Sequence, residues 1–258
     1  MSKPKFQGNR WDLFYELVRT DFVMRYHNSV LGFVWVLLKP FLIFLIIATV
    51  FSLLFKNQDP YYHLNLLLGL LIYTYFAEST LRGVTSLYDK SQVILKVNFP
   101  KIIAVYTSVA NSLISFLAGF LVFLVFWFWS KPVDSLSGLG YFFLQIAILS
   151  GLILAFNLFS GIVYTKLRDF YSVWEVTLQL IFWGTPIVYP VAILPPAIAR
   201  LAFLNPLAVI IDQSRVALVN GQAYDWRLTI YAAGFTVILL VAGYCFFSSR
   251  ITQVAEDF

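Results

Sequence analysis

Six long apolar runs separated by short polar connections organise the chain: about Val30–Phe55, Leu64–Leu81, Ile102–Trp129, Leu139–Val163, Val173–Val191 and Leu228–Phe247. A helix of roughly 20 apolar residues crosses a bilayer core, and these runs are of that order. The pattern predicts an all-α integral membrane fold with six transmembrane helices. Ahead of the first run, Trp11, Phe14, Tyr15, Val18, Phe22 and Tyr26 share one helical face, with Asp12, Glu16, Arg19 and Thr20 opposite. That is the signature of an amphipathic helix lying at the membrane interface. A short polar hinge, His27-Asn28-Ser29, joins it to the first span.

The segment from Ala192 to Val219 breaks the rhythm. It is apolar but interrupted by Pro195-Pro196, Asn205-Pro206 and the charges Arg200, Asp212 and Arg215. Each apolar piece is about a dozen residues, too short to cross. Irregular backbone at membrane depth is tolerated where protein shields it or where it lines a cavity. A re-entrant helical hairpin on the external face, just before the last span, is predicted. The alternative is a seventh span, which places Arg250 outside. The domain reading is a cytoplasmic segment over 1–29 and one membrane domain over 30–258, with a cytoplasmic loop at 82–101 and the external helices at 192–219.

Composition sharpens the picture. Of 258 residues, 60% are hydrophobic and only 12% charged, against about 25% in soluble domains. The net charge of +5 does not point to nucleic acid, because the basic residues sit at the ends of apolar runs rather than in a block. With six spans and both termini cytoplasmic, twelve Lys and Arg fall inside and five outside, with Lys39 within the first span. This bias follows the positive-inside rule and sets the orientation. No apolar run of signal-peptide length precedes the first span, so targeting is expected to rest on the spans themselves.

Chemistry is sparse. There is no GxxxxGK[ST] phosphate loop, so ATP is not expected to bind this chain in that way. Leu136-Ser137-Gly138-Leu139-Gly140 departs from the LSGGQ signature at its last two positions and lies on the predicted outer side. Paired DxD acids and Cys/His metal clusters are absent, and the single cysteine, Cys245, forms no internal disulfide. Glu78 and Glu175 fall near span ends, and His27 and His63 lack ligand spacing.

The loop Arg82–Lys101 is the longest polar cytoplasmic connection. It interleaves Leu87, Val93, Ile94, Leu95 and Phe99 with the charges Asp89, Lys90 and Lys96 beside Tyr88. Such a pattern suits a docking surface; the competing reading is a loop packed under its own bundle. Arg168 and Asp169 either pair within a tight turn or contact a partner. Arg25, at the hinge, is placed to meet a phosphate; otherwise the N-terminal helix is a plain anchor. Asp212 and Arg215 stand three apart, the spacing of a same-face ion pair, and form a candidate external gate. Twenty-six Phe, fifteen Tyr and seven Trp exceed what interface belts require. Rings pack on the C–H faces of sugars, and Trp35, Phe182, Trp183 and Tyr189 are candidate conduit residues.

The residues then resemble a family. Arg25-Tyr26, Ser29-Val30-Leu31-Gly32-Phe33-Val34-Trp35 and Lys39-Pro40 are similar to the opening of type-2 ABC transporter permeases. Within these the chain resembles the exporters of O-antigen, teichoic acid and capsule (Wzm-, TarG- and KpsM-like). Asn98-Phe99-Pro100-Lys101, the block from Arg168-Asp169 through Thr185-Pro186 to Leu194-Pro195, and Asn205-Pro206-Leu207 with Ile211 and Arg215 continue the likeness. The resemblance implies a homodimer of this chain with two copies of a separate ATPase that binds ATP and Mg. The chain itself is expected to be non-enzymatic and to bind no cofactor. An undecaprenyl-type lipid-linked glycan is the implied cargo, and a bacterial inner membrane the location. It further implies a coupling helix within Arg82–Lys101 (Leu87, Tyr88, Asp89, Lys90, Val93, Ile94, Leu95, Lys96). A headgroup portal is implied near Arg25, Tyr26, Asn28, Ser29, Leu31 and Gly32. Lys39, where the family often has a neutral residue, either snorkels or meets cargo phosphate. A small-drug or lipid exporter and a membrane-bound envelope enzyme are the alternatives.

Overall fold

A computed structural model describes residues 10–26, 32, 34–55, 61–96, 100–130, 132 and 138–254, and among these every regular element is helical. In chain order they are α1 (Arg10–Tyr26), α2 (Val34–Phe55), α3 (Tyr62–Asp89), α4 (Ser91–Lys96), α5 (Ile102–Ser130) and α6 (Gly138–Lys166). Then follow α7 (Phe170–Gly184), α8 (Pro196–Ala202), α9 (Pro206–Arg215, continuing in a wider turn to Asn220) and α10 (Trp226–Val254).

Four of these helices, α3, α5, α6 and α10, are long and apolar enough to cross a membrane. Helix α2 is 22 residues long with Pro40 inside it. Helix α7 stops after 15 residues because Thr185 is extended ahead of Pro186, as the residue before a proline prefers. Between α8 and the α9 segment the axis turns by 103°.

The core is built on α3. In its most apolar stretch 72% of residues are buried, against 22% for α10, whose Ile230, Val237, Ile238 and Val241 face outward. Helix α3 therefore sits at the centre, with α5 and α6 packed on it and α10 on the far side of α6. A stack of rings seals the α5–α6 seam, Phe120 lying 4.7 Å from Phe142 with planes 16° apart. Close approach of α3 and α6 depends on Gly83, where an added Cβ would come 1.9 Å from the Asn157 amide carbon. The Asn157 amide in turn donates to the Ser79 carbonyl (3.2 Å). Small residues at helix crossings are the usual device where lipid supplies no hydrophobic drive between helices.

Two features differ from the sequence pattern. The second span was expected to end at Leu81, but α3 runs on to Asp89, because Val84 and Leu87 on its inner face are fully buried and keep the helix packed. On α1 the face toward the bundle carries Leu13, Phe14 and Leu17, with Asp21 on the same side. Trp11 and Tyr15 are 74% and 67% exposed, so the face packed on the bundle lies roughly a third of a turn from the aromatic face. The reason is that α1 packs against α5 beneath the α3–α4 corner and keeps its aromatic flank for the surroundings.

Gly83→Val should destabilise the bundle by about 1–3 kcal/mol through overpacking. Thermal unfolding in detergent measures this, and adding Asn157→Ala should recover part of the loss.

Candidate functional site

Two polar assemblies stand at opposite ends of α3. At its C-terminal end Lys90 makes the corner between α3 and α4. The Lys90 Nζ lies 2.7 Å from Asp21 Oδ2 on α1, with the lysine side chain 7% and the aspartate 27% exposed. A lysine so enclosed needs a partner, since an uncompensated buried charge is costly. Beside it Arg168 Nη1 donates to the Tyr88 hydroxyl (3.2 Å), with the guanidinium carbon 4.6 Å from the ring centroid. Tyr88 also meets Tyr164 edge to face. Among the described residues Arg168 thus turns to Tyr88 rather than forming an ion pair with Asp169. Lys101 Nζ donates to the Ile251 carbonyl (2.9 Å) and ties the start of α5 to the end of α10.

The corner does not offer all the residues expected of a docking surface. Leu87 and Ile94 are 0% and 3% exposed and belong to an apolar cluster with Ile103, Leu158, Ile162 and Phe247. The loop-under-its-own-bundle reading is correct for these two, because α1 and α5 close over them. Val93 is half-buried against the same cluster, while Tyr88 and Asp89 are exposed. Leu95 and Lys96 end α4, and their side chains lie outside the described residues.

At the N-terminal end of α3 stands Arg215, 7% exposed on α9. Its Nε donates to the Asn65 carbonyl (3.0 Å), Nη1 to that of Pro186 (2.8 Å) and Nη2 to that of Ile187 (2.6 Å). The Pro186 and Ile187 carbonyls lie in the irregular backbone after α7, where helical donors are lacking, and the guanidinium fork supplies them while it also reaches the first turn of α3. Asp212, three residues before Arg215 on the same helix, lies close enough to feel its positive charge. The Asp212 carboxylate accepts from Gln213 Nε2 (3.1 Å). Asn205 caps α9 by accepting from the Leu207 amide (3.0 Å), with Pro206 at the first helical position, and its own amide donates to Thr185 Oγ1 (3.1 Å). The Asn-Pro dipeptide thus joins the end of α7 to the start of α9.

Other expected site residues are scattered. Arg25 and Tyr26 end α1, with their side chains outside the described residues; Asn28, Ser29 and Leu31 lie outside them altogether. Gly32 has a φ of 48°, a left-handed turn that glycine accepts without strain. Trp35 and Trp183 are 47% and 58% exposed. Phe182 packs against Tyr73 at 5.0 Å, and the Tyr189 hydroxyl donates to the Trp183 carbonyl (3.1 Å). Asp21 was missed, because its partner Lys90 lies on another helix and nothing in the local pattern marks the pair.

The profile of the ABC-2 type transporter family matches residues 12–219. The chain belongs to this family. It is 29% identical over 261 residues to an O-antigen export system permease protein RfbA of Klebsiella pneumoniae, the match covering 96% of each chain. A Myxococcus xanthus protein of the same name is 25% identical over 257 residues, covering 95% of each. The polysialic acid transport protein KpsM of Escherichia coli is 22% identical over 248 residues, covering 92% of each.

Lys90→Met should destabilise the protein. Removing one partner of a fully enclosed pair costs about 3–5 kcal/mol, and the partial exposure of Asp21 puts this case at the low end. The double variant Asp21→Leu with Lys90→Met should recover most of that loss in the same unfolding assay. Arg215→Met should cost about 1–3 kcal/mol for each buried carbonyl left without a donor, whereas Arg215→Lys should restore only part, since an ammonium does not reproduce the fork.

Proposed function

We propose that this chain is the membrane subunit of an ATP-driven exporter that moves a lipid-linked polysaccharide across the bacterial inner membrane. The observation that carries the reading is near-full-length similarity to permeases named for O-antigen export and polysialic acid transport, on a chain of the ABC-2 family. Energy then comes from a separate ATPase that binds ATP and Mg, two copies of each chain forming the transporter. Both termini face the cytoplasm, six helices span (α2, α3, α5, α6, α7 and α10), and the bent α8–α9 pair re-enters from the outside. The charge bias along the sequence supports this orientation.

Within this scheme the α3–α4 corner receives the ATPase. Tyr88 and Asp89 present an exposed face there, whereas Leu87 and Ile94 hold the corner rigid from beneath. Because Asp21 joins α1 to Lys90, displacement of the corner carries α1 with it. The helix that precedes the first span is thereby moved when the ATPase moves. Arg25, at the end of α1, meets the phosphate of the cargo, and the aromatic residues Trp35, Phe182, Trp183 and Tyr189 line the route of the glycan.

The test is deletion of the gene with complementation, read as surface polysaccharide. Loss of surface glycan with lipid-linked glycan retained inside the cell is expected; unchanged surface glycan overturns the reading. Combined Tyr88→Asp and Asp89→Arg should sharply reduce co-purification of the ATPase while the bundle stays folded. By contrast Leu87→Asp should lower the yield of folded protein. Topology is tested independently with single cysteines at 197–204. Labelling from outside is expected, and labelling solely from the cytoplasmic face makes the segment a true span.

A further inference from the structure

Beside Arg215 the structure has a half-open cavity of about 480 Å3, within the range of about 300–1,000 Å3 usual for small-molecule sites. It lies at the N-terminal end of α3, some 28 residues from the Lys90 corner, a separation of roughly 40 Å along the helix. Its walls differ in kind from those of the two larger hollows on the bundle surface, which are almost wholly apolar. Tyr61 and Tyr189 bring aromatic rings, Asp212 a carboxylate, and Asn220 and Gln222 carboxamides. We propose that this cavity is a subsite for a neutral sugar residue of the exported glycan, an inference that rests on the polysaccharide reading above.

The donor and acceptor balance selects the ligand class. Arg215 also borders the cavity, but its Nε, Nη1 and Nη2 each donate to a main-chain carbonyl, so the guanidinium serves the backbone rather than presenting a fork to an anion. The Asp212 carboxylate takes one hydrogen bond among the described residues, from Gln213, and retains acceptor capacity toward the space it lines. Carboxylate acceptors flanked by carboxamides suit vicinal hydroxyls, which donate and accept at once. Tyrosine rings suit the C–H face of a pyranose. A phosphate or an acidic sugar would instead bring a second negative charge against Asp212. The walls are also held in place: the Tyr62 hydroxyl donates to the Val188 carbonyl (2.9 Å), and Asn65 Nδ2 donates to Asn220 Oδ1 (3.1 Å). A pocket pinned in this way costs little ordering on binding.

Gln222 and Asn220 lie exposed at the rim, which gives a direct test. Gln222→Cys is made in a Cys245→Ser background and complexed with its ATPase in cells, and its labelling by a membrane-impermeant maleimide is timed. The comparison is between cells making the lipid-linked glycan and cells lacking its first sugar transferase. Labelling should be roughly threefold slower in the glycan-making cells, the effect of about two-thirds occupancy. Asp212→Asn should abolish that difference while the complex still assembles. Equal rates in the two cells, no labelling in either, or protection that survives Asp212→Asn each overturns the subsite; Asn220→Cys repeats the measurement where Gln222→Cys fails to assemble. Protection that is lost when free phosphate or an acidic oligosaccharide is added, and not when a neutral one is, also overturns the neutral-sugar assignment. If deleting the gene leaves surface polysaccharide unchanged, it is the export reading that fails, whatever the labelling shows.

Discussion

Arg215 donates to three main-chain carbonyls contributed by α3 and by the stretch after α7. Much of the architecture depends on that clamp. A helical membrane protein must satisfy its backbone internally, and breaking α7 at Thr185-Pro186 leaves carbonyls without helical donors. A single guanidinium on α9 reaches two of them, those of Pro186 and Ile187, together with the Asn65 carbonyl of α3, which an ammonium on a flexible stem cannot reproduce. Asn205 adds a second tie between α9 and Thr185, and the Tyr62 hydroxyl a third to Val188. The irregular region is therefore fixed by side chains rather than by its own backbone, and the cavity beside it inherits a fixed shape.

The opposite end solves a different problem. There the helices are regular and the polar groups join separate elements: Lys90 to Asp21, Lys101 to the end of α10, Arg168 to Tyr88. These contacts make α1, the α3–α4 corner and the α10 terminus one mechanical unit above an apolar cushion of Leu87, Ile94 and Ile103. Between the two ends α3 runs unbroken for 28 residues, packed on both sides. In the proposed scheme a push at the corner is transmitted by a stiff, central helix and by α1, not absorbed in a loop.

The arrangement has a functional logic for a polymer cargo. A long glycan cannot be enclosed in one pocket, so its path must hold successive residues weakly and be driven from one end. In the proposed scheme a rigid corner ion-paired to α1 answers the driving requirement. The aromatic surfaces and the polar hollow beside Arg215 there answer the holding requirement without demanding high affinity.

The apolar runs by themselves determined an all-helical membrane protein, the centres of its long helices and the break between α8 and α9, because the cost of exposing apolar residues to water and peptide groups to lipid is written locally along the chain. The Asn205-Pro206 signal located the start of α9 for the same reason: capping is a property of neighbours. Which face of α1 packs, how far α3 continues past Leu81, and whether Leu87 and Ile94 look outward were decided only by tertiary structure. Helical periodicity marks an apolar face but does not say which neighbour covers it. The same holds for the two charged groups that matter most. Arg215 is held by carbonyls far away in sequence, and Lys90 finds its partner in Asp21 on another helix. A buried charge is satisfied by the acceptors that the fold brings within reach, and sequence distance carries no information about that.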